Sequence, residues 1–233
     1  MGLRALLGSR AAVGCTLLGA VAVGAVFAVG WRLAMLVRAS AMTAHPLFLG
    51  GFSRLLYLVA LLALAAVVAL VWYPFGAGVA YAVGRRARGE TATTGDSLAA
   101  VRDAAVPLAR WLKTRVAVGP LAERVLSEDD VAPNEVVVGC EAFVVPAVVL
   151  DSPTSLPRAV DRANRITPQP GRGRAAVVPV GATVAVVVVA ALALGAPVAS
   201  VTIAVDLGVL GLVVTAAVDT AWRAHRYVTA ESL

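Results

Sequence analysis

The sequence is short of nearly everything a soluble enzyme relies on. Of its 233 residues, 15% are charged, two are histidine and two are cysteine. A soluble domain carries about 25% charged residues, so there is too little charge here to cover a water-facing surface. Cys15 and Cys140 both sit in apolar stretches, with no CxxC pair and no histidine nearby. That spacing argues against a disulfide framework or a zinc site, and a thiol in such surroundings behaves as a small hydrophobe. His45 and His225 lie outside the apolar runs. A Ser53–His45 pair lacks both an acid and an oxyanion donor. There is no HExxH, GxSxG, P-loop or dinucleotide-binding glycine run. Nothing calls for a metal or a cofactor, and no positive signal points to an enzyme.

What the chain has in abundance is oil. Hydrophobic residues make up 60% of it and its mean hydropathy is +0.85, against about 45–50% apolar in a soluble domain. The net charge of +6 could suggest nucleic acid. However, the arginines stand in short blocks beside apolar runs, which is the charge bias of membrane topology. Nucleic-acid binding is therefore not expected, and the principal partner is the lipid bilayer.

A helix needs about 20 apolar residues to cross about 30 Å of hydrocarbon. Four segments reach that length: 11–30, 55–83, 176–195 and 197–218. The first follows Arg4 and Arg10 as a signal peptide would, but it exceeds the usual apolar core of about 7–15 residues. No small-residue cleavage pattern follows it, so it reads as an uncleaved span. In the second, Pro74 predicts a kink, and Trp72, Tyr73 and Tyr81 are expected at one interface. The last two are joined by Gly195-Ala196-Pro197, which makes them an antiparallel hairpin.

The middle is less regular. Asp96-Ser97 reads as a helix start. Leu98, Val101, Ala105, Leu108, Leu112 and Val116 follow at helical spacing, opposite Arg102, Arg110 and Lys113. This pattern resembles an interfacial helix, and Pro107 should bend it. Val136–Leu150 is roughly 22 Å long as a helix and is interrupted by Pro146. Segments 98–118 and 134–150 are thus expected as two short or bent membrane-embedded helices.

Charge sets the orientation. With alternating spans, Arg4, Arg10, Arg85, Arg86, Arg88, Arg158, Arg162, Arg165, Arg172, Arg174, Arg223 and Arg226 are expected on one side. Arg32, Arg38 and Arg54 are expected on the other, while Arg102, Arg110, Lys113, Arg115 and Arg124 belong to the less regular middle. By the positive-inside rule both termini are cytoplasmic, 84–97 and 151–175 are cytoplasmic basic loops, and zero or two crossings separate those loops.

The run Gly84-Arg85-Arg86-Ala87-Arg88-Gly89-Glu90, then Asp96 and a Leu98-to-Trp111 segment, resembles an uncharacterised prokaryotic family of six-helix membrane proteins. Phe143-Val144-Val145-Pro146-Ala147-Val148-Val149-Leu150-Asp151 is similar to a second hallmark of that family, a proline-containing span ending at an acid. Leu156 to Ala163 fits the basic loop helix that follows it. The likeness covers roughly residues 55 to 230 and implies a fold but no chemistry. Arg110, Lys113 and Arg115 depart from it by loading charge into what would be the third span.

Few polar groups are candidates for function. Asp206 lies inside the last span, where an ionisable group costs about 2.5–3.5 kcal/mol and by default marks a pathway. Glu141 precedes Pro146 and lies within reach of Arg110, Lys113 or Arg115 if the two middle segments pair, since a buried charge is tolerated when paired. In the loop helix Ser155–Thr167, Ser155 is placed to cap and Pro157 to open the first turn. Arg158, Arg162 and Arg165 share one face, opposite Leu156, Val160 and Ala163. That face is the candidate contact for anionic lipid headgroups. Small residues at Thr16, Ala20, Gly24 and Ala28, and at Gly208, Gly211 and Thr215, mark helix-packing faces, within the chain or in a homo-oligomer.

The reading is an all-α polytopic transmembrane helical bundle, a single membrane domain over 1–233 with four full-length spans and two short or bent helices. It is expected in the cell membrane, as a non-catalytic structural, assembly or regulatory component. The alternative is a small transporter or permease-like subunit using Asp206.

Overall fold

The computed structural model describes residues 2–43, 50–116, 140–151, 155–166 and 198–231. Among these the protein is all-helical: α1 Gly2–Gly8, α2 Arg10–Thr43, α3 Gly50–Ala87, α4 Thr94–Asp103, α5 Ala105–Val116, α6 Glu141–Asp151, α7 Leu156–Ile166 and α8 Val198–Glu231. Residues 134–139 of the expected segment 134–150, the expected span 176–195, and His45 lie outside the described residues.

Three helices, α2, α3 and α8, are long and apolar enough to cross a membrane. At 34, 38 and 34 residues they extend roughly 50–57 Å, well past the hydrocarbon thickness. The sequence runs 11–30, 55–83 and 197–218 are thus only the apolar parts of longer rods. Gly30 lies against Leu64, Gly19 against Trp72 and Phe75, and Gly78 against Cys15, so α2 and α3 run antiparallel. Trp31 Nε1 donates to Thr202 Oγ1 at 3.3 Å, and Gly2 lies against Val218 and Trp222. That register sets α8 beside α3 in the same direction.

The packing face of α2 is Ala12, Cys15, Val23, Phe27, Trp31 and Ala34, all buried. Leu17, Leu18, Val21, Val29, Leu33 and Leu36 point outward. Together with Leu55 to Leu70 of α3 and Ile203 to Val214 of α8 they form a belt of exposed large aliphatics. In water such a belt would be an aggregation surface; in hydrocarbon it is solvated. Within the small-residue stripes, Gly24 and Gly211 are not points of close approach in the chain. A side chain at Gly24 or Gly211 would meet nothing within 4 Å, whereas a methyl at Gly19 would come within 2.7 Å of the Trp72 ring. The close approach is to a bulky aromatic across α2 and α3, which a small-residue count in one helix does not reveal.

The shorter helices wrap the Arg85 end of this scaffold. At 10, 12 and 11 residues, α4, α5 and α6 are about 15–18 Å long, roughly half the hydrocarbon thickness. Their apolar sides join Leu6, Val79, Val83, Ala221 and Tyr227 in the larger of two cores; the smaller holds Phe27, Trp31, Leu64 and Val205. Trp72, Tyr73 and Tyr81 are half-buried and pack against the larger core, and Tyr73 Oη donates to the Leu108 carbonyl at 3.3 Å. Both cysteines are buried and neither is in a disulfide.

Segment 98–118 is not one helix. The chain breaks at Ala104, ahead of Pro107. A proline has no N–H for the carbonyl four residues back and its ring clashes with it; that residue is Asp103, the last of α4. The break shifts the helical phase, so Leu108, Trp111 and Thr114 are buried while Ala105 is exposed. The helix also starts earlier than Asp96. Thr93 is its N-cap, accepting from the Asp96 N–H at 3.1 Å, while the Asp96 carboxylate takes the Thr93 N–H at 2.9 Å and its hydroxyl at 2.8 Å. This reciprocal capping box holds the Asp96 carboxyl below the ordinary carboxylate range, through the backbone and then the side-chain bond from Thr93. A depressed carboxyl stabilises the fold above its unfolded value and stops doing so as pH falls through the folded one, so the start of α4 should fray on acidification below the ordinary carboxylate range. Thr93→Ala should cost about 1 kcal/mol, and amide exchange at residues 94–97 should speed up selectively. Uniform exchange along α4 would count against the cap.

Candidate functional site

The densest polar constellation lies where three helices end. Arg88 follows the last turn of α3, Asp151 closes α6, and Tyr227 and Glu231 sit in the last turns of α8. Each helix C-terminus carries partial negative charge on its unpaired carbonyls. Two carboxylates added there would repel one another unless cations intervene, and two arginines do.

Arg88 Nη2 lies 2.7 Å from both Asp151 Oδ1 and Glu231 Oε2. Its Nη1 donates to the Leu150 carbonyl at 3.4 Å, covering one exposed end of α6. Arg162, reaching across from α7, places Nε 3.3 Å from Asp151 Oδ2 and pairs its Nη2 with Glu231. Tyr227, with no exposed surface, donates its hydroxyl to Asp151 Oδ2. Two cations meet two anions, and every charged member bonds both groups of opposite sign. The Asp151 side chain is 12% exposed and that of Arg162 46%, so the network is dry at Asp151 and wet at Arg162. This clasp ties α3, α6, α7 and α8 together. It offers no free nucleophile, and no group of three metal-ligating side chains occurs among the described residues.

Sequence reasoning saw the parts without the whole. Asp151 was visible as the acid ending an apolar helix, and Arg88 and Arg162 as topology-setting charges. Tyr227 and Glu231 carried no signal, because only the register of α8 on α3 brings them to Asp151.

Each sequence candidate has a definite place. Glu141 Oε2 lies 2.7 Å from Arg115 Nη1, so one of the three basic partners considered meets it, at the far end of α6 from the clasp. Asp206 is exposed on α8, on the same outward side as Ile203, Leu207 and Leu210. It lines neither the apolar cleft of about 640 Å³ between α2 and α3 nor that of about 360 Å³ bounded by α2, α3 and α8. Helix α7 is strongly two-sided, but its apolar side, Leu156, Ala159, Val160 and Ala163, is buried in the protein core and is not available for insertion into lipid. Of its basic side, Arg162 belongs to the clasp, while Arg158 and Arg165 are exposed. His225 lies on α8 beside Arg4 and Arg86.

Scans of the chain against protein-family models, curated proteins and solved structures returned no significant match.

Proposed function

We propose that the protein is a multi-pass component of the cell membrane that works by assembly rather than catalysis. In this reading it has six membrane-associated helices, with both termini and the clasp on the cytoplasmic side. The positive-inside distribution of arginine and the resemblance of residues 55 to 230 to a six-helix family support that topology. The polar side chains of the clasp are committed to one another, which suits a structural role.

The observation that carries the reading is Asp206. A carboxyl on the outward face of an apolar helix, flanked by Ile203, Leu207 and Leu210, is costly against lipid, about 2.5–3.5 kcal/mol near mid-bilayer. A partner helix bearing a hydrogen-bond donor would remove that cost, because polar groups act as glue between spans. The transporter alternative needs a polar path to Asp206, and the two apolar clefts do not supply one.

Asp206→Leu should therefore make the isolated chain at least as stable in detergent, while dissociating it from its native-membrane complex. Blue-native electrophoresis of mildly solubilised membranes reads both. An unchanged complex size would sink the assembly reading. Substrate-dependent proton movement in proteoliposomes, lost in Asp206→Asn, would establish the transporter.

A further inference from the structure

A second basic feature lies apart from the clasp and independent of Asp206. A cleft of about 330 Å³ opens between α1, α3 and α8, lined by Arg4, Ala5, Val83, Arg86, Ala87 and His225. No carboxylate lines it. Three arginines crowd the end of α3, and two are committed: Arg85 to Glu90, and Arg88 to Asp151 and Glu231. Arg86 is exposed, and among the described residues neither it nor Arg4 has an ion-pair or hydrogen-bond partner. The Arg86 guanidinium lies over Gly8, where an added methyl would come within 3.0–3.3 Å of it. The floor, Ala5, Val83 and Ala87, is apolar.

The surface beside the cleft matters as much as the charge. Leu3 and Leu7, also on α1 but not lining the cleft, are 53% and 66% exposed. They sit one turn apart, and Leu7 lies on the turn after Arg4. Two unpaired guanidinium groups call for a phosphate, whose oxygens fit their forked donors. Exposed leucines beside them call for hydrocarbon. A soluble anion satisfies the first requirement alone; a membrane amphiphile satisfies both.

We propose that this cleft binds the phosphate of an anionic phospholipid from the surrounding bilayer. Arg4 and Arg86 hold the phosphate oxygens, His225 donates a further hydrogen bond, and Leu3 and Leu7 lie along the acyl chains. A net-negative headgroup is selected because a choline ammonium would face two like charges. This places the lipid contact on α1 and α3, not on the loop helix α7, whose apolar side the protein itself covers.

The test is native mass spectrometry of the purified full-length chain, titrated with phosphatidylglycerol, phosphatidylcholine or inorganic phosphate. One phosphatidylglycerol should be retained about tenfold more tightly than phosphatidylcholine. The double variant Arg4→Gln/Arg86→Gln should erase that preference, and Arg86→Lys should keep part of it. Arg158→Gln/Arg165→Gln, which removes the same charge from exposed positions on α7, should leave it intact. Leu3→Ser/Leu7→Ser should weaken the lipid and not inorganic phosphate. Equal weakening by the two arginine doubles would reduce the effect to diffuse attraction and overturn the site. Displacement of the lipid by equimolar inorganic phosphate would overturn the lipid as its occupant in favour of a soluble anion.

Discussion

Asp151→Ala should destabilise the protein by about 3 kcal/mol, because removing one partner of a buried ion pair strands the others. Arg88, Arg162 and Tyr227 all lose an acceptor at once, and the Tyr227 hydroxyl has no water to turn to. Glu231→Ala should cost distinctly less, about 1 kcal/mol, because its side chain is 27% exposed and water replaces part of what is lost. Tyr227→Phe removes one neutral donor and should cost about 1 kcal/mol. Thermal unfolding in detergent, followed by helical circular dichroism, ranks the three. Asp151→Ala combined with Arg88→Met should cost less than the sum of the single changes, since neighbours that share a bond are not additive. If the two single changes simply add, or if Asp151→Ala costs no more than Glu231→Ala, the clasp does not hold the helix ends together.

Gly84→Val should be comparably damaging for the opposite reason. A side chain at Gly84 would overlap the Leu150 isobutyl group, which is itself buried, so α3 and α6 would have to separate just above the clasp. Overpacking a closed core costs about 1–3 kcal/mol, and at the upper end here, because displacing α6 also strains the Arg88–Asp151 pair. Leu150→Ala opens the space, so Gly84→Val/Leu150→Ala should recover at least about 1 kcal/mol relative to additivity. Gly24→Ala and Gly211→Ala are the controls. With nothing within 4 Å of either, they should be neutral or stabilise by about 0.5–1 kcal/mol through helix propensity. If Gly84→Val proves as mild as Gly24→Ala, the α3–α6 contact is looser than the geometry indicates.

Much of the architecture was legible because the signals behind it are local. Long runs of Ala, Val and Leu bracketed by arginine identify helices of bilayer length, since a twenty-residue window is enough to fix solvent preference. Pro107 marked a disruption correctly, although the break came three residues earlier, at Ala104, because a proline's conflict is with the carbonyl of residue i−4. The basic loop helix was visible from its two-sided pattern. Its apolar side proved to face protein rather than lipid, since a two-sided pattern shows that one side is buried but not in what. Helix α1 was invisible as a helix: a few residues ahead of a long apolar run carry no periodicity to read. The close contacts of α2 could not be read from its small-residue stripe for a related reason. Close approach depends on what stands opposite, and Trp72, not a glycine, stands opposite Gly19.

Composition and the order of residues were enough to point to helices suited to oil, and the described residues are all helical. Which arginine meets which acid was decided by the tertiary structure alone. Arg88 lies 63 residues before Asp151 and Arg162 lies 69 before Glu231, and only the parallel register of α8 on α3, with α6 ending beside them, makes them neighbours. The same register leaves the Arg86 side chain without a partner among the described residues, while Arg85 and Arg88 have theirs. Solvent preference accumulates along a single segment, whereas ion pairing depends on distances of a few ångströms between segments, and no one-dimensional pattern encodes those.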